Sequence, residues 1–368
     1  MWSRRALRAC EILGTLHPII QAPMAGVTTP ALVASVSKAN GLGSLPAGYS
    51  PPEKFLADII ATQALLTNQE PFSANLFVPA VENETGSVEQ RQRMNGALNR
   101  YRQQLGLPPV PELVIPAASS LDVMIDIIIE RNIPIVSFTF GIITPEQIQR
   151  LKSRNILLIG TATTVNEAKA VEAAGCDMVV AQGYEAGGHR GTFLKSSGTS
   201  LIGTMALVPQ VVDAVGIPVI AAGGIMDGRG IAAAFQLDAH AVQMGTAFLR
   251  SHEAGTPKVH KDALARCDEN STKLTTAFSG KLARGIINEF MEEIEKHHEK
   301  DVLPYPDQHY ATAPLRQHAA KCQHHQFMSL WAGQGAKLCK ELPAGELVKM
   351  FAEQALQLLA PSGAKHKV

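Results

Sequence analysis

Short, unbroken apolar runs recur along the chain, separated by longer stretches with helical spacing. Pro18–Ala22, Leu42–Pro46, Phe72–Val78, Ile133–Phe138, Ile156–Gly160, Met178–Gln182, Pro218–Ala222 and Ala241–Met244 read as eight strands. Pairs such as Val179-Val180 and Val219-Ile220 do not alternate with polar residues, which is the pattern of strands covered by helices on both faces. Helical segments fall at Pro30–Lys38, Pro52–Leu66, Pro145–Ser153 and Val165–Ala174, with another ending near Val215. Local signals mark their ends. Pro30 suits a first turn capped by Thr28 or Thr29, Thr164 with Glu167 reads as a capping box, and Gly175 suits the position just past a helix. Alternation repeated eight times predicts a closed (β/α)8 TIM barrel over an open doubly wound sheet.

The pattern breaks in two places. After the third strand, polar Val81–Leu105 reads as a helix, LGLPPVPE as a stiff connector, Leu113–Ala117 as a short extra strand and Leu121–Arg131 as a helix. After the eighth strand the alternation stops. The expected organisation is a barrel over residues 1–250, a smaller, mostly helical lid domain over 251–335, and a C-terminal helix over 336–368 packing back on the barrel. TTAFSGKLARGIINEFMEEIEKHHEK reads as the clearest helical part of the lid, and the terminal PSGAKHKV as loose.

Composition narrows the class. The 368 residues are 46% hydrophobic and 18% charged, a globular profile with a sizeable core. Lys+Arg and Asp+Glu both number 33, so charge argues for neither nucleic acid nor an anionic membrane. Five widely spaced cysteines without a CxxC pair point to a reducing compartment. No apolar stretch approaches a membrane span, and the basic N-terminus lacks a signal-peptide core, so a soluble cytoplasmic protein is expected. The oligomeric state stays open.

In a barrel of this kind the chemistry sits at the C-terminal strand ends, and the loops after strands seven and eight often hold a phosphate. Here those strands end in Gly223-Gly224 and Gly245-Thr246, where backbone N–H groups can approach an anion closely. The same rule selects Met24, Asn75, Thr139, Gln182 and the loop GYEAGGHRG. The Asn75 and Gln182 amides can donate and accept toward a flat heteroaromatic ring. His189, after Gly187 and Gly188, is the candidate acid, base or cationic clamp. Arg190 reads as a structural or rim cation. No metal site is expected: His297-His298 and His324-His325 are adjacent pairs without ligand spacing.

The segments QAPMAGVTTPALVASVSKANGLGSL, VSFTFG, AQGYEAGGHRG and AAGGIMDGRG with AVQMGTAFL, together with PYPDQHYATAPLR and SLWAGQGAKL, resemble the nitronate monooxygenases over nearly the whole chain. The resemblance implies an FMN-binding barrel with a small lid. The implied reaction oxidises alkyl nitronates such as propionate 3-nitronate with O2 to a carbonyl product and nitrite, a detoxification. By position, Asn75, Gln182, Gly187, Gly224, Gln243, Met244, Gly245 and Thr246 would hold FMN, with Met24 near the flavin ring and His189 as the catalytic histidine. One position departs: the family pattern SFHFG has His where this chain has Thr139, which bears on substrate choice. The alternatives are an FMN-dependent, NADH-using reductase of enoyl-thioester or quinone type on the same scaffold, and a flavin-binding protein without turnover.

Overall fold

The computed structural model describes all residues except 69, 80–84, 116–119, 195–200 and 361–368. Its strands are β1 (Ile19–Gln21), β2 (Gly43–Pro46), β3 (Phe72–Phe77), β4 (Ile135–Thr139), β5 (Leu157–Ala162), β6 (Met178–Gln182), β7 (Gly188–His189), β8 (Val219–Ala222), β9 (Ala241–Met244), β10 (Thr272–Thr275) and β11 (Ala283–Ile286). Eight of them pair in parallel in the order β1-β9-β8-β6-β5-β4-β3-β2. Ile20 and Leu42 bridge the two ends: Gln21 N–H donates to the Leu42 carbonyl at 2.9 Å, and Leu42 N–H to that of Ile19 at 2.9 Å. The sheet is therefore closed, a (β/α)8 TIM barrel, and the open alternative is excluded.

Burial on both faces explains the unbroken apolar runs. Val179 and Ala181 pack outward under the helices, while Met178 and Val180 pack inside the barrel with Ile20, Leu42, Ile135, Ile159 and Ile220. The interior is apolar only in its lower part. Ala9 and Leu13 of the N-terminal helix Arg4–Leu13 join that cluster and close the bottom. On three neighbouring strands the inward positions turn polar two residues further along: Ile135 gives way to Ser137 and Thr139, Ile159 to Thr161, and Val180 to Gln182. An oily floor thus carries a polar upper layer at the end where the loops emerge.

Several local expectations hold. Thr29 caps helix Pro30–Lys38, its hydroxyl accepting from Leu32 N–H at 3.1 Å. Gly175, at φ +88°, follows helix Val165–Ala173. Thr164 caps that helix, but Glu167 does not complete a capping box. Its buried carboxylate accepts instead from Thr163 N–H and Oγ1 (both 2.7 Å), Thr192 Oγ1 (2.7 Å), and the N–H groups of Phe193 (2.7 Å) and Leu194 (3.0 Å). Burial opposes its ionisation, yet these donors together hold its pKa below the usual carboxylate range.

The segment after β9 corrects one expectation. Thr272–Ile286, which takes in the first half of TTAFSGKLARGIINEFMEEIEKHHEK, forms an antiparallel hairpin of β10 and β11, and the helix of that segment begins only at Glu289–His297, capped by Asn288. Two features defeat the helical reading. Gly280 sits at φ +79° with its Cα so close to the Leu303 carbonyl that a Cβ would lie 2.1 Å from that oxygen. In addition, β11 pairs with β7 from the barrel-mouth loop, Ala283 opposite His189. Leu113–Ile115 form no strand, and the rest of that expected element lies outside the described residues, as does the terminal PSGAKHKV. Helix Ala344–Leu359 packs on helices Gly228–Gln236 and Pro30–Lys38. No helix among the described residues is long and apolar enough to cross a membrane.

Candidate active site

A cavity of about 380 Å³ lies at the C-terminal end of the barrel, under the segment that follows β9. Asn75, Gln182, Gly187, His189, Gly224, Gln243, Gly245 and Thr246 all line it, as do Met24 and Thr139. Met244 does not. Strand alternation turns its side chain into the packed layer between strands and helices, while its carbonyl accepts from Ala22 N–H at 2.9 Å.

The glycine tips differ from a simple helix-terminus site. Gly223 (φ +109°) and Gly224 (φ +71°) hold conformations that side chains resist. The next helix, Gly228–Gln236, has its N-terminus already occupied: Asp227 accepts from Arg229 N–H at 2.9 Å, and Gln354 Oε1 from Gly228 N–H at 3.2 Å. The N–H groups of Gly223, Gly224, Gly245 and Thr246 donate to no acceptor among the described residues. Asn75 Oδ1 is buried without a partner, while its Nδ2 donates to Ser137 Oγ at 2.9 Å. These free donors and the orphaned acceptor border one cavity, and leaving the buried Asn75 Oδ1 unpaired costs about 1–3 kcal/mol.

Gln182 has another task. Its Nε2 donates to the His189 carbonyl at 3.1 Å, and its Oε1 accepts from Gly191 N–H at 2.9 Å and Arg190 at 3.2 Å. It therefore ties down the loop that carries His189. Arg190 is buried, not at the rim, and also donates to the Gln182 carbonyl at 2.8 Å. Gly187 allows a close crossing: a Cβ there would lie 2.5 Å from Gly333 N and 2.6 Å from the Ala332 carbonyl carbon. Gly333 N–H in turn donates to Thr246 Oγ1 at 2.9 Å, so the Trp331–Gly335 strap is fastened to both loops.

The His189 ring sits among Phe140 (5.8 Å between centroids), Tyr305 (6.0 Å) and Trp331 (5.5 Å). Its Nε2 lies 2.8 Å from Ser279 Oγ, and the other ring nitrogen has no hydrogen-bond partner among the described residues. Burial first, then the Lys281 and Arg316 cations, pull its pKa down to about 3, so the ring is neutral near pH 7. Thr139 Oγ1, at the end of β4, lies 3.4 Å from Asn75 Nδ2 and 3.5 Å from Thr161 Oγ1. It brings a hydroxyl and no charge.

Sequence reasoning missed Ser279, His260, His309, Arg316 and Trp331. All but Ser279 line the cavity. The only signal was segmental, since His309, Arg316 and Trp331 fall within PYPDQHYATAPLR and SLWAGQGAKL. Burial pulls His260 down to about 4 and His309 to about 2, the latter with help from Arg316 and His189. No Asp or Glu lines the cavity, and no group of three or more potential metal ligands occurs among the described residues.

Comparison with known proteins places this geometry. Residues 7–354 match the family profile of nitronate monooxygenase. A probable nitronate monooxygenase of Staphylococcus aureus is 45% identical over 360 residues, covering 98% of this chain and 99% of the relative. Among solved structures, the nitroalkane oxidase of Streptomyces ansochromogenes superposes with a TM-score of 0.85 at 40% identity, covering 95% of this chain and 97% of the other. FabK from Thermotoga maritima gives a TM-score of 0.75 at 29% identity over 96% of each chain.

Proposed function

The chain belongs to the nitronate monooxygenase family, a family of flavin-dependent oxidoreductases, and from that premise we propose that it holds FMN in this cavity and oxidises alkyl nitronates with O2 to a carbonyl product and nitrite. The residues present fit such a group. The free N–H groups at Gly223-Gly224 and Gly245-Thr246 suit a phosphate, which accepts from backbone donors without needing a cation. Asn75 Oδ1 and the Gln243 amide suit the N–H and C=O edge of a flavin ring, with Met24 against its face. Met244 contributes through its backbone at most. When bound, the flavin supplies the redox capacity that no side chain here has, accepting electrons from the substrate and passing them to oxygen.

What the chain does is bind, orient and exclude water. A nitronate is already deprotonated at carbon, so no base is required for it. His189 is neutral, so it supplies no counter-charge to the nitronate. The Ser279 hydroxyl lies 3.1 Å from the Lys281 carbonyl, which can only accept. With its proton directed there, Ser279 accepts from His189 Nε2–H, and His189 Nδ1 is left as a bare lone pair. A neutral nitroalkane, which must lose a proton from carbon, would use that lone pair as its base.

The observation that carries the reading is a neutral histidine sharing one carboxylate-free cavity with unsatisfied backbone donors on two adjacent strand ends. Anaerobic mixing of the purified yellow protein with propionate 3-nitronate, followed by flavin absorbance, tests it. Rapid bleaching supports the proposal, and a colourless folded protein that rejects added FMN sinks it. The likeness to FabK and the Gly187-Gly188-His189 loop favour one second reading, a reductase that uses NADH. Faster anaerobic bleaching by NADH than by nitronate would select it.

A further inference from the structure

Glu185 and Thr204 meet behind the glycine tip of β8, outside the cavity, which neither of them lines. Thr204 opens helix Thr204–Ala214, whose cap position is Gly203 and offers no side chain. Glu185 serves that helix from the barrel-mouth loop instead. Its Oε1 and Oε2 accept from Thr204 N–H at 3.0 and 2.9 Å. The Thr204 hydroxyl lies 2.9 Å from Glu185 Oε2 and 2.9 Å from the Gly223 carbonyl, so its one proton sits between two acceptors. The Glu185 carbonyl also accepts from Gln334 N–H of the strap at 3.0 Å. The space around the hydroxyl is filled by backbone: a Cβ on Gly183 would lie 1.9 Å from Thr204 Oγ1, and one on Gly223 2.9 Å from it.

The junction fixes the orientation of one peptide plane. In a trans peptide the C=O and the N–H that follows it point in opposite directions. The Gly223 carbonyl faces Thr204, so Gly224 N–H faces the other way. Gly224 lines the cavity, and that N–H meets no acceptor among the described residues. Ala222 repeats the pattern one residue earlier: its carbonyl accepts from Gly183 N–H at 2.8 Å, so Gly223 N–H leaves on the opposite side. Two glycines in succession, at φ +109° and +71°, have the freedom to turn the peptide between them over. The flipped plane would present a carbonyl to the cavity, and an anion there would meet an acceptor in place of a donor. The Thr204 hydroxyl is the group that tells the two orientations apart.

We propose that Glu185 and Thr204 are positioning residues for the flavin phosphate: Glu185 holds the Thr204 hydroxyl against the Gly223 carbonyl, and this keeps Gly224 N–H presented to the phosphate. The inference rests on the FMN reading above and requires neither side chain to touch the ligand. The charge of Glu185 is not needed for the task. In Glu185→Gln the amide oxygen still accepts from Thr204 N–H, and the amide N–H donates to Thr204 Oγ1, which releases the hydroxyl proton to the Gly223 carbonyl.

Flavin affinity with and without the phosphate separates this role from a general effect on stability. Titration of the flavin-free full chain, followed by quenching of flavin fluorescence, is expected to give a lower Kd for FMN than for riboflavin. Thr204→Val removes the hydroxyl at nearly constant shape. It should weaken FMN by about 10- to 100-fold, the size of one charge-assisted hydrogen bond, and riboflavin by less than about threefold. Glu185→Ala should behave like Thr204→Val, whereas Glu185→Gln should bind FMN within about threefold of wild type. The phosphorus NMR signal of bound FMN, read at saturating flavin, should move in Thr204→Val and stay in place in Glu185→Gln. Equal weakening of FMN and riboflavin would overturn the proposal, as would a Thr204→Val protein with unchanged FMN affinity and an unmoved phosphorus signal. If Thr204→Val and Glu185→Ala do not fold, Glu185→Gln still decides, because a loss of FMN affinity there would mean that charge and not peptide orientation matters. A wild type that binds both flavins equally would keep the flavin site and overturn only the phosphate role, and one that binds neither would overturn the FMN reading as well.

Discussion

The three cavity histidines make acid stability the sharpest physical test. Folding lowers the pKa of His189 to about 3, His260 to about 4 and His309 to about 2, from 6.5. A folded-state pKa below the unfolded one means that the unfolded chain binds more protons. The stabilisation is then complete above pH 6.5 and falls as pH drops from there toward the folded values. At pH 5 each histidine costs RT ln(1 + 10^1.5), about 2 kcal/mol, a figure set by the unfolded pKa and insensitive to the folded one. The three together cost about 6 kcal/mol, against a typical total of about 5–15 kcal/mol. Below pH 6 the slope approaches three protons, about 4 kcal/mol per pH unit. His240, whose Nδ1 accepts from Val219 N–H at 3.2 Å, is also lowered, to about 4, and adds in the same direction. Carboxylates with lowered pKa values, such as Glu167, enter only below their ordinary range, so the window from pH 6.5 to 5 belongs to histidine. Urea unfolding of the flavin-loaded protein, followed by tryptophan fluorescence at steps between pH 7.5 and 5, measures the slope. His309→Gln should reduce it by about one proton. Stability that is flat down to pH 5, or a variant with an unchanged slope, would refute the buried-neutral assignment.

Three further outcomes follow from the site. His189→Asn should retain flavin and lose on the order of 10²–10⁴-fold in turnover of a neutral nitroalkane, and wild-type kcat/KM for a nitronate should show no inflection near pH 6.5; full nitroalkane activity in the variant removes His189 as the base. Gly187→Val places atoms into the Ala332–Gly333 backbone, which would be 2.5–2.6 Å from its Cβ, so melting temperature and flavin occupancy should both fall; an unchanged melting curve would mean that the strap can move aside. Glu167→Gln should destabilise the protein by about 1–3 kcal/mol and expose the Thr192–Leu194 loop to proteolysis, because a neutral amide cannot accept from all five donors; native-like resistance would contradict that role.

The barrel was readable because strand and helix periodicity are properties of neighbours in sequence. The unbroken apolar runs located the strands, and Thr29, Thr164 and Gly175 marked helix ends to within a residue. The rule that chemistry sits at C-terminal strand ends then selected Met24, Asn75, Thr139, Gln182 and the loop with His189, which line one cavity. Reading failed where a side chain had a second, distant claimant. Glu167 stands where a capping box needs it, yet its carboxylate serves Thr192–Leu194 as well as Thr163, and Gln182 uses its amide on the His189 loop. The segment from Thr272 to Ile286 lost its helical reading because β7, some ninety residues away, offered a strand edge.

The chain alone therefore determined the order of strands and helices, the glycine-tipped ends and the place of His189, all encoded in spacings of a few residues. Tertiary structure alone decided the electrostatics of the cavity. Ser279 reaches His189 across 90 positions, and Arg316 arrives from helix Asp307–Lys321 with no acidic partner among the described residues. Whether a histidine is neutral, or a cation unanswered, depends on what surrounds it in space, and local sequence carries no record of that.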